Sequence, residues 1–211
     1  ICDHWHKVAV ALNTQWHSAL PHKELAYLPW GTPEADGYWR DMGFALRWAE
    51  ENRRRMAVKV IGAFEDILGA DAALMLDVHH NYAAWENHFG RNGIVHRKGA
   101  VRARVGEQVL IPGSMSTGSS LAEGLGNVDS LMTCQHGAGR ARSRSATRKM
   151  VTRGQLEDQL SQAGVVLVTR HRESVIDESE TAYKDIDAVM AASSDLVKPT
   201  MRLRPLGVVK G

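Results

Sequence analysis

Trp5, Val8, Leu12 and Trp16 recur at spacings of three or four, the period of one helix face, and predict an amphipathic helix over 3–19. Pro21, Pro29, Gly31 and Pro33 mark the loop that follows. Thr32 before Pro33 is a helix start, because the hydroxyl caps a free N–H and proline lacks one where none is needed. From there Trp39, Met42, Leu46, Ala49, Met56, Val60, Phe64 and Ile67 keep close to helical period, and Gly69 is placed to end a long helix. Arg53, Arg54 and Arg55 inside it read as a solvated face. The pattern then changes to short apolar runs at 74–78, 94–95 and 109–111, separated by glycines and charged turns, which predict strands and loops. Thr152 and Gln155 have capping-box spacing for a helix to about Ala163, with Gly164 as its stop. A strand over 165–168, a helix over 179–192 and a strand over 201–209 complete the pattern. With no repeat, low-complexity tract or linker, residues 1–211 read as one α+β domain with mixed or antiparallel sheets flanked by helices.

Composition narrows this only slightly. A chain of 211 residues supports one substantial core or two small ones, and 44% hydrophobic with 24% charged residues excludes a disordered chain. The net charge of +2 does not mark the whole molecule as a nucleic-acid binder, but its distribution is uneven. Residues 130–156 contain no Asp or Glu while carrying Arg140, Arg142, Arg144, Arg148, Lys149 and Arg153. That stretch is either a footprint for phosphates or a solvated helix face. Cys2 and Cys134 make no disulfide framework and fit a reducing compartment. No apolar run approaches the ~20 residues of a membrane span, so a cytoplasmic protein without a membrane partner is expected. The chain opens with Ile1, directly in a helical pattern, so a fold incomplete at its N-terminus is expected.

Four segments carry candidate chemistry. Asp77-Val78-His79-His80-Asn81-Tyr82 holds adjacent histidines. On a strand these point to opposite faces, so at most one serves a given metal, and both are equally readable as partly buried structural histidines. Val95-His96-Arg97-Lys98-Gly99-Ala100 is either a phosphate contact or a charged hairpin turn. The segment 111–119, IPGSMSTGS, offers hydroxyls and backbone N–H groups to a nucleotide or is a plain Ser/Gly loop, and matches neither a Walker loop nor a dinucleotide fingerprint. Gln135-His136-Gly137-Ala138-Gly139-Arg140 sets one histidine against small residues, with arginines at every second position thereafter.

Taken together, HHN, HRKGA, IPGSM and HGAGR in that order, with AYLPW, AEENRRRM, AYKDIDAVM and a terminal VVKG, resemble the RtcB family of RNA-splicing ligases over nearly the whole chain. The resemblance implies an RtcB-like fold and a manganese- and GTP-dependent enzyme. It would join RNA ending in a 2′,3′-cyclic phosphate or 3′-phosphate to RNA with a 5′-hydroxyl, in tRNA splicing or RNA repair. His136 is implied as the histidine that attacks the α-phosphate of GTP and carries GMP, while Gly137, Ala138 and Gly139 keep bulk away and offer N–H groups to phosphate. His80 matches a manganese ligand and Asn81 a nucleotide contact. Pro112, Gly113, Ser114, Met115 and Ser119 match the GMP-binding loop, and Lys210 a contact to guanine. Manganese on the phosphates would offset charge facing the nucleophile and on departing pyrophosphate. From their charge, Arg140, Arg142 and Arg144 are expected near RNA or triphosphate.

The sequence departs from the family in two places. The family's other metal ligands, an aspartate, a cysteine and two histidines, have no match among these residues, and Cys2, His4 and His6 do not replace them. Ser116 stands where the family usually has glycine. Either the chain is the C-terminal portion of a ligase, or it is a non-catalytic RNA- or nucleotide-binding remnant. A third reading is a paralogue that repairs damaged RNA. The RNA substrate and any protein partner are not specified by the sequence.

Overall fold

The computed structural model describes residues 1–70 and 76–210, and of residues 172–174 the backbone alone. It comprises two compact units, Ile1–Asp77 and Val78–Gly211.

The first unit is helical. Helix α1 (Cys2–Gln15) ends earlier than its apolar spacing suggests, because Trp16 caps it and His17 turns into the left-handed region at φ 51°. Asn13 is buried and donates to the carbonyls of Ala9 and Tyr27. The Trp5 indole lies where a Cβ on Gly37 would stand, 2.4 Å from the nearest ring carbon, and its N–H donates to Asp41. Helix α2 (Pro33–Leu68) has the expected boundaries: Thr32 accepts from the Ala35 N–H, and Gly69 caps the end at φ 61°. Arg53, Arg54 and Arg55 lie on its surface, paired with Asp77 and Glu51. Among the residues that give α2 its period, Met56, Val60, Phe64 and Ile67 are exposed.

The second unit is a set of small sheets between short helices. Strands β1 (Asn81–His88) and β2 (Arg91–Lys98) form an antiparallel hairpin. Its two-residue turn, Phe89-Gly90, has positive φ at both positions, the geometry that matches strand twist. Strand β3 (Ala100–Arg102) pairs with β6 (Thr133–Gln135), and β4 (Gln108–Pro112) with β5 (Ser119–Gly124), which also pairs with β8 (Val197–Leu203). Strand β7 (Val166–Thr169) runs parallel to β9 (Gly207–Lys210). One core cluster gathers Val101, Val109, Ile111, Ala122, Cys134, Ala138, Ile186, Met190 and Val197 from these sheets and helix α5 (Ile186–Ala192). A second lies under helices α3 (Arg144–Met150) and α4 (Arg153–Ala163) and includes Met115, Val151, Leu156, Leu160 and Val165. Burial pushes the Cys134 thiol up to about 11, which makes it a core residue rather than a reactive thiol.

Three expectations need correction. The apolar run at 74–78 lies partly outside the described residues, and 76–78 is irregular rather than strand. The helix expected over 179–192 breaks into a 3-10 turn (Glu180–Ala182) and α5. Between them Tyr183 bridges to Arg140 and the Lys184 N–H donates to the Gly139 carbonyl, bonds that a continuous helix would forgo. The strand expected over 201–209 is two strands, because Pro205 has no N–H to extend the first. The capping box at Thr152 and Gln155, and the Gly164 stop of α4, are as expected.

Inside the hairpin, Glu86 and Arg97 form a buried pair at 2.6 Å, each side chain 1% exposed. Burial alone would raise the Glu86 carboxyl, but hydrogen bonds from Arg97 and His88 outweigh it and hold the group at about 2. A carboxyl depressed in the folded state adds stability that is complete above its ordinary value of 4.5 and lost as pH falls toward 2. Urea titrations should therefore give a stability that declines across that window. Glu86→Gln should flatten the slope and lower stability at pH 7 by about 3 kcal/mol, because Arg97 is left buried without a counter-charge.

Candidate functional site

Gly99 joins three of the four segments singled out in the sequence. It sits between β2 and β3, and its N–H is shared between the His80 carbonyl at 2.8 Å and the Asn81 side-chain oxygen at 3.0 Å. Its carbonyl accepts from Nδ1 of His136 at 2.8 Å and from the His136 N–H at 3.4 Å. A carbonyl only accepts, so His136 Nδ1 carries the proton and Nε2 keeps its lone pair. The His80 ring stacks on that of His136, centroids 5.0 Å apart and planes 10° from parallel. His79 turns elsewhere, its ring 6.1 Å from that of Tyr82. The two rings thus diverge, although neither residue lies in a strand, since β1 begins at Asn81.

The residues after His136 back against the loop 112–119. The Ala138 N–H donates to the Pro112 carbonyl at 2.9 Å, so that N–H is already engaged and only its neighbours are placed to offer theirs to a ligand. A Cβ on Gly137 would stand 3.0 Å from the same oxygen, which explains the small residue there. The loop is closed by Gly113 N–H to the Gly118 carbonyl and by Ser114 and Thr117, each of whose side chains accepts from the other's backbone N–H. Met115 points into the second core cluster, so it anchors the loop from beneath. Ser116 has no left-handed backbone, so glycine is not required there, and its hydroxyl donates to Glu180 at 2.5 Å. Ser119 opens β5 opposite Pro112 and Leu203.

The arginines after His136 have partners within the protein. Arg148 donates to Asp177 through Nε and Nη2 at 3.0 and 2.8 Å, and Arg144 lies 3.5 Å from the same carboxylate, which is 3% exposed. Burial would raise the Asp177 carboxyl, but Arg148, its own backbone N–H and Arg144 together hold it below the usual carboxylate range. Arg140 donates to the Asp177 carbonyl at 2.7 Å and lies 3.7 Å from Glu178; Arg142 donates to the Thr181 carbonyl. Glu178 also accepts from the Tyr183 hydroxyl and lies 4.0 Å from Lys210 Nζ. Burial and the neighbouring Glu178 carboxylate push the Tyr183 phenol up to about 12, so it stays a donor. Asp177 and Glu178 thus supply counter-charges to Arg140, Arg144 and Arg148 from outside the acid-free stretch.

His80, Asn81 and His136 are therefore brought together; Pro112 and Gly113 adjoin Gly137 and Ala138; and Lys210 belongs to the Glu178 cluster. Gly99, Asp177, Glu178 and Glu180 were not singled out in the sequence. The run DESE just before AYKD, an acidic counterpart to the basic stretch, is the signal that would have pointed to the last three. Among the described residues no group of three or more His, Cys, Asp or Glu is placed to hold a metal ion. His80 is accordingly one donor rather than a site, and the residues present do not by themselves fit manganese. No helix among the described residues is long and apolar enough to cross a membrane.

Comparison with known proteins supplies the context for this geometry. The family model described as tRNA-splicing ligase RtcB matches residues 1–211. The RNA-splicing ligase RtcB of Escherichia coli K12 is 42% identical over 199 residues, covering 91% of this chain and 48% of the relative. The tRNA-splicing ligase RtcB of Aeropyrum pernix is 36% identical over 218 residues, covering 90% and 45%. The RNA-splicing ligase RtcB of Mycobacterium bovis is 33% identical over 231 residues, covering 100% and 53%. The chain spans about half the length of the curated relatives it matches.

The loop 112–119 has two positions that no side chain fits, Gly113, where a Cβ would lie 2.6 Å from the Gly118 carbonyl oxygen, and Gly118. Gly118 has φ 85°, and a Cβ there would lie 2.4 Å from the Leu203 carbonyl oxygen. Gly118→Ala should lower stability in urea by about 2 kcal/mol or more. In the same measurement Gly154→Ala, on α4 with nothing within 4 Å, should raise it by about 0.5 kcal/mol.

Proposed function

Because the chain belongs to the RtcB family of tRNA-splicing ligases, we propose that it carries the nucleophile of an RNA ligase, with His136 as the residue that becomes guanylylated. The observation that carries this reading is the 2.8 Å bond from His136 Nδ1–H to the Gly99 carbonyl, which leaves Nε2 as the reactive nitrogen. His136 Nε2 would attack the α-phosphate of GTP, forming a P–N bond as the bond to pyrophosphate breaks. The ring becomes cationic as that bond forms. The Gly99 carbonyl, already accepting from Nδ1, stabilises the charge without moving, as a preorganised dipole should. GMP then passes to the RNA 3′-phosphate, restoring the His136 lone pair, and the 5′-hydroxyl of the second RNA displaces it.

The other residues have supporting parts in this proposal. Asn81 and the loop 112–119, with Pro112, Gly113, Ser114 and Ser119, would line the nucleotide. Gly137 and Gly139 would offer N–H groups to phosphate oxygens, and Lys210 would meet guanine after parting from Glu178. Manganese enters as a requirement of the family with His80 as one donor, and no step is derived through it. The RNA ends proposed are a 3′-phosphate or 2′,3′-cyclic phosphate and a 5′-hydroxyl.

The test is incubation of the protein with manganese and GTP labelled at the α-phosphate, followed by denaturing electrophoresis and intact mass. The expected result is one GMP on the wild-type chain and none on His136→Ala. An adduct that survives His136→Ala would remove His136 from the mechanism; no adduct on this chain but one on a chain extended at its N-terminus would make it the inactive portion of a ligase, and no adduct on either would favour a non-catalytic binding remnant.

A further inference from the structure

His136 follows a strand that is too short to hold it. Strand β6 has three residues and pairs with only three of β3, so its own ladder does little to fix the histidine. The chain enters β6 through Leu131 and Met132, both in the left-handed region at φ 54° and 51°. Neither is a residue that takes this conformation without strain, so something around them must hold it.

Backbone bonds to Val128, Asn127 and Ala103 hold part of it, and the side chain that does so from the hairpin is Arg97. Its side chain is 1% exposed; Nη2 donates to the Leu131 carbonyl at 3.0 Å and Nε to the Thr133 hydroxyl at 2.9 Å. Its other N–H groups go to Glu86 at 2.6 and 3.0 Å and to the Tyr82 hydroxyl at 3.4 Å, with the Tyr82 ring 5.6 Å away. One planar cation therefore ties the β1–β2 hairpin to the strained entry of β6. Arg97 lies two residues before Gly99, whose carbonyl fixes the His136 ring, and its partners lie three and five residues before His136 itself. It thereby sets both halves of that hydrogen bond.

We propose that Arg97, held by Glu86, is a positioning residue that fixes the backbone and the ring tautomer of His136. The guanidinium's fork matches a bidentate carboxylate on one side and two acceptors on the other, a pattern that an ammonium does not reproduce. The inference rests on His136 being the reactive histidine, yet the tautomer is measurable without any reaction.

The experiment compares wild type with Thr133→Val, Thr133→Ser and Arg97→Lys. Long-range proton–nitrogen spectra of protein labelled with ¹⁵N-histidine, with the His136 signal assigned by its loss in His136→Ala, report which ring nitrogen is protonated. Guanylylation rates are read alongside. Wild type and Thr133→Ser should hold the proton on Nδ1. Thr133→Val and Arg97→Lys should give mixed tautomers, with the guanylylation rate down about 10²-fold and KM for GTP little changed. A wild-type tautomer in folded Arg97→Lys and Thr133→Val overturns the proposal, as does a Thr133→Ser no better than Thr133→Val. Should Arg97→Lys not fold, the Thr133 pair decides alone. If neither this chain nor the extended one forms an adduct while the tautomers respond as described, the ligase reading fails and the clamp stands.

Discussion

Gly99 is the junction on which the candidate site depends. Its N–H is held by the His80 carbonyl and the Asn81 side chain, and its carbonyl holds the ring and main chain of His136. Three segments that are remote in sequence are thereby fixed to the two peptide planes that meet at one residue, whose φ of 65° sets the angle between them. Gly99 is in turn fixed by being the link between β2 and β3, which leaves it no freedom to turn with the histidine. The protonated nitrogen of His136 is therefore selected by a backbone carbonyl rather than by a neighbouring carboxylate.

A second constraint is electrostatic. The short segment from Asp177 to Glu180 meets Arg140, Arg144 and Arg148 with two carboxylates, reaches Lys210 with one of them, and accepts from Ser116 with a third. It thus connects the strand of residues after His136, the serine loop and the end of the chain. Asp177 is buried and paired, an arrangement in which breaking the pair is costly because a charge is left in a poorly solvating place. Glu178 is more open and has several cationic neighbours at 3.7 to 4.0 Å.

Several elements were legible because their causes are local. Thr32 with Pro33, Thr152 with Gln155, and Gly69 and Gly164 satisfy backbone groups within a turn, and the structure keeps each boundary. The identity of His80, Asn81 and His136 as neighbours was implied by motif resemblance, and their rings and amide do converge. The helix expected over 179–192 failed for a non-local reason: Tyr183 and Lys184 are drawn into extended backbone by Arg140 and Gly139. The basic stretch at 130–156 looked open to phosphate because its counter-charges come from beyond it.

The sequence alone determined the family, the boundaries of α2 and α4, and the motifs that carry His80, Asn81 and His136, since these rest on residue type and on spacings of a few positions. Only the tertiary structure decided which nitrogen of His136 is free, where the arginine charges go, and what supports Leu131 and Met132. Those outcomes depend on single hydrogen bonds between residues 29 to 64 positions apart, from Arg148 to Asp177, from Arg97 to Leu131, from His136 to Gly99 and from Ser116 to Glu180. A bond of that kind has no period and no local signature, because its geometry exists only after the chain has packed.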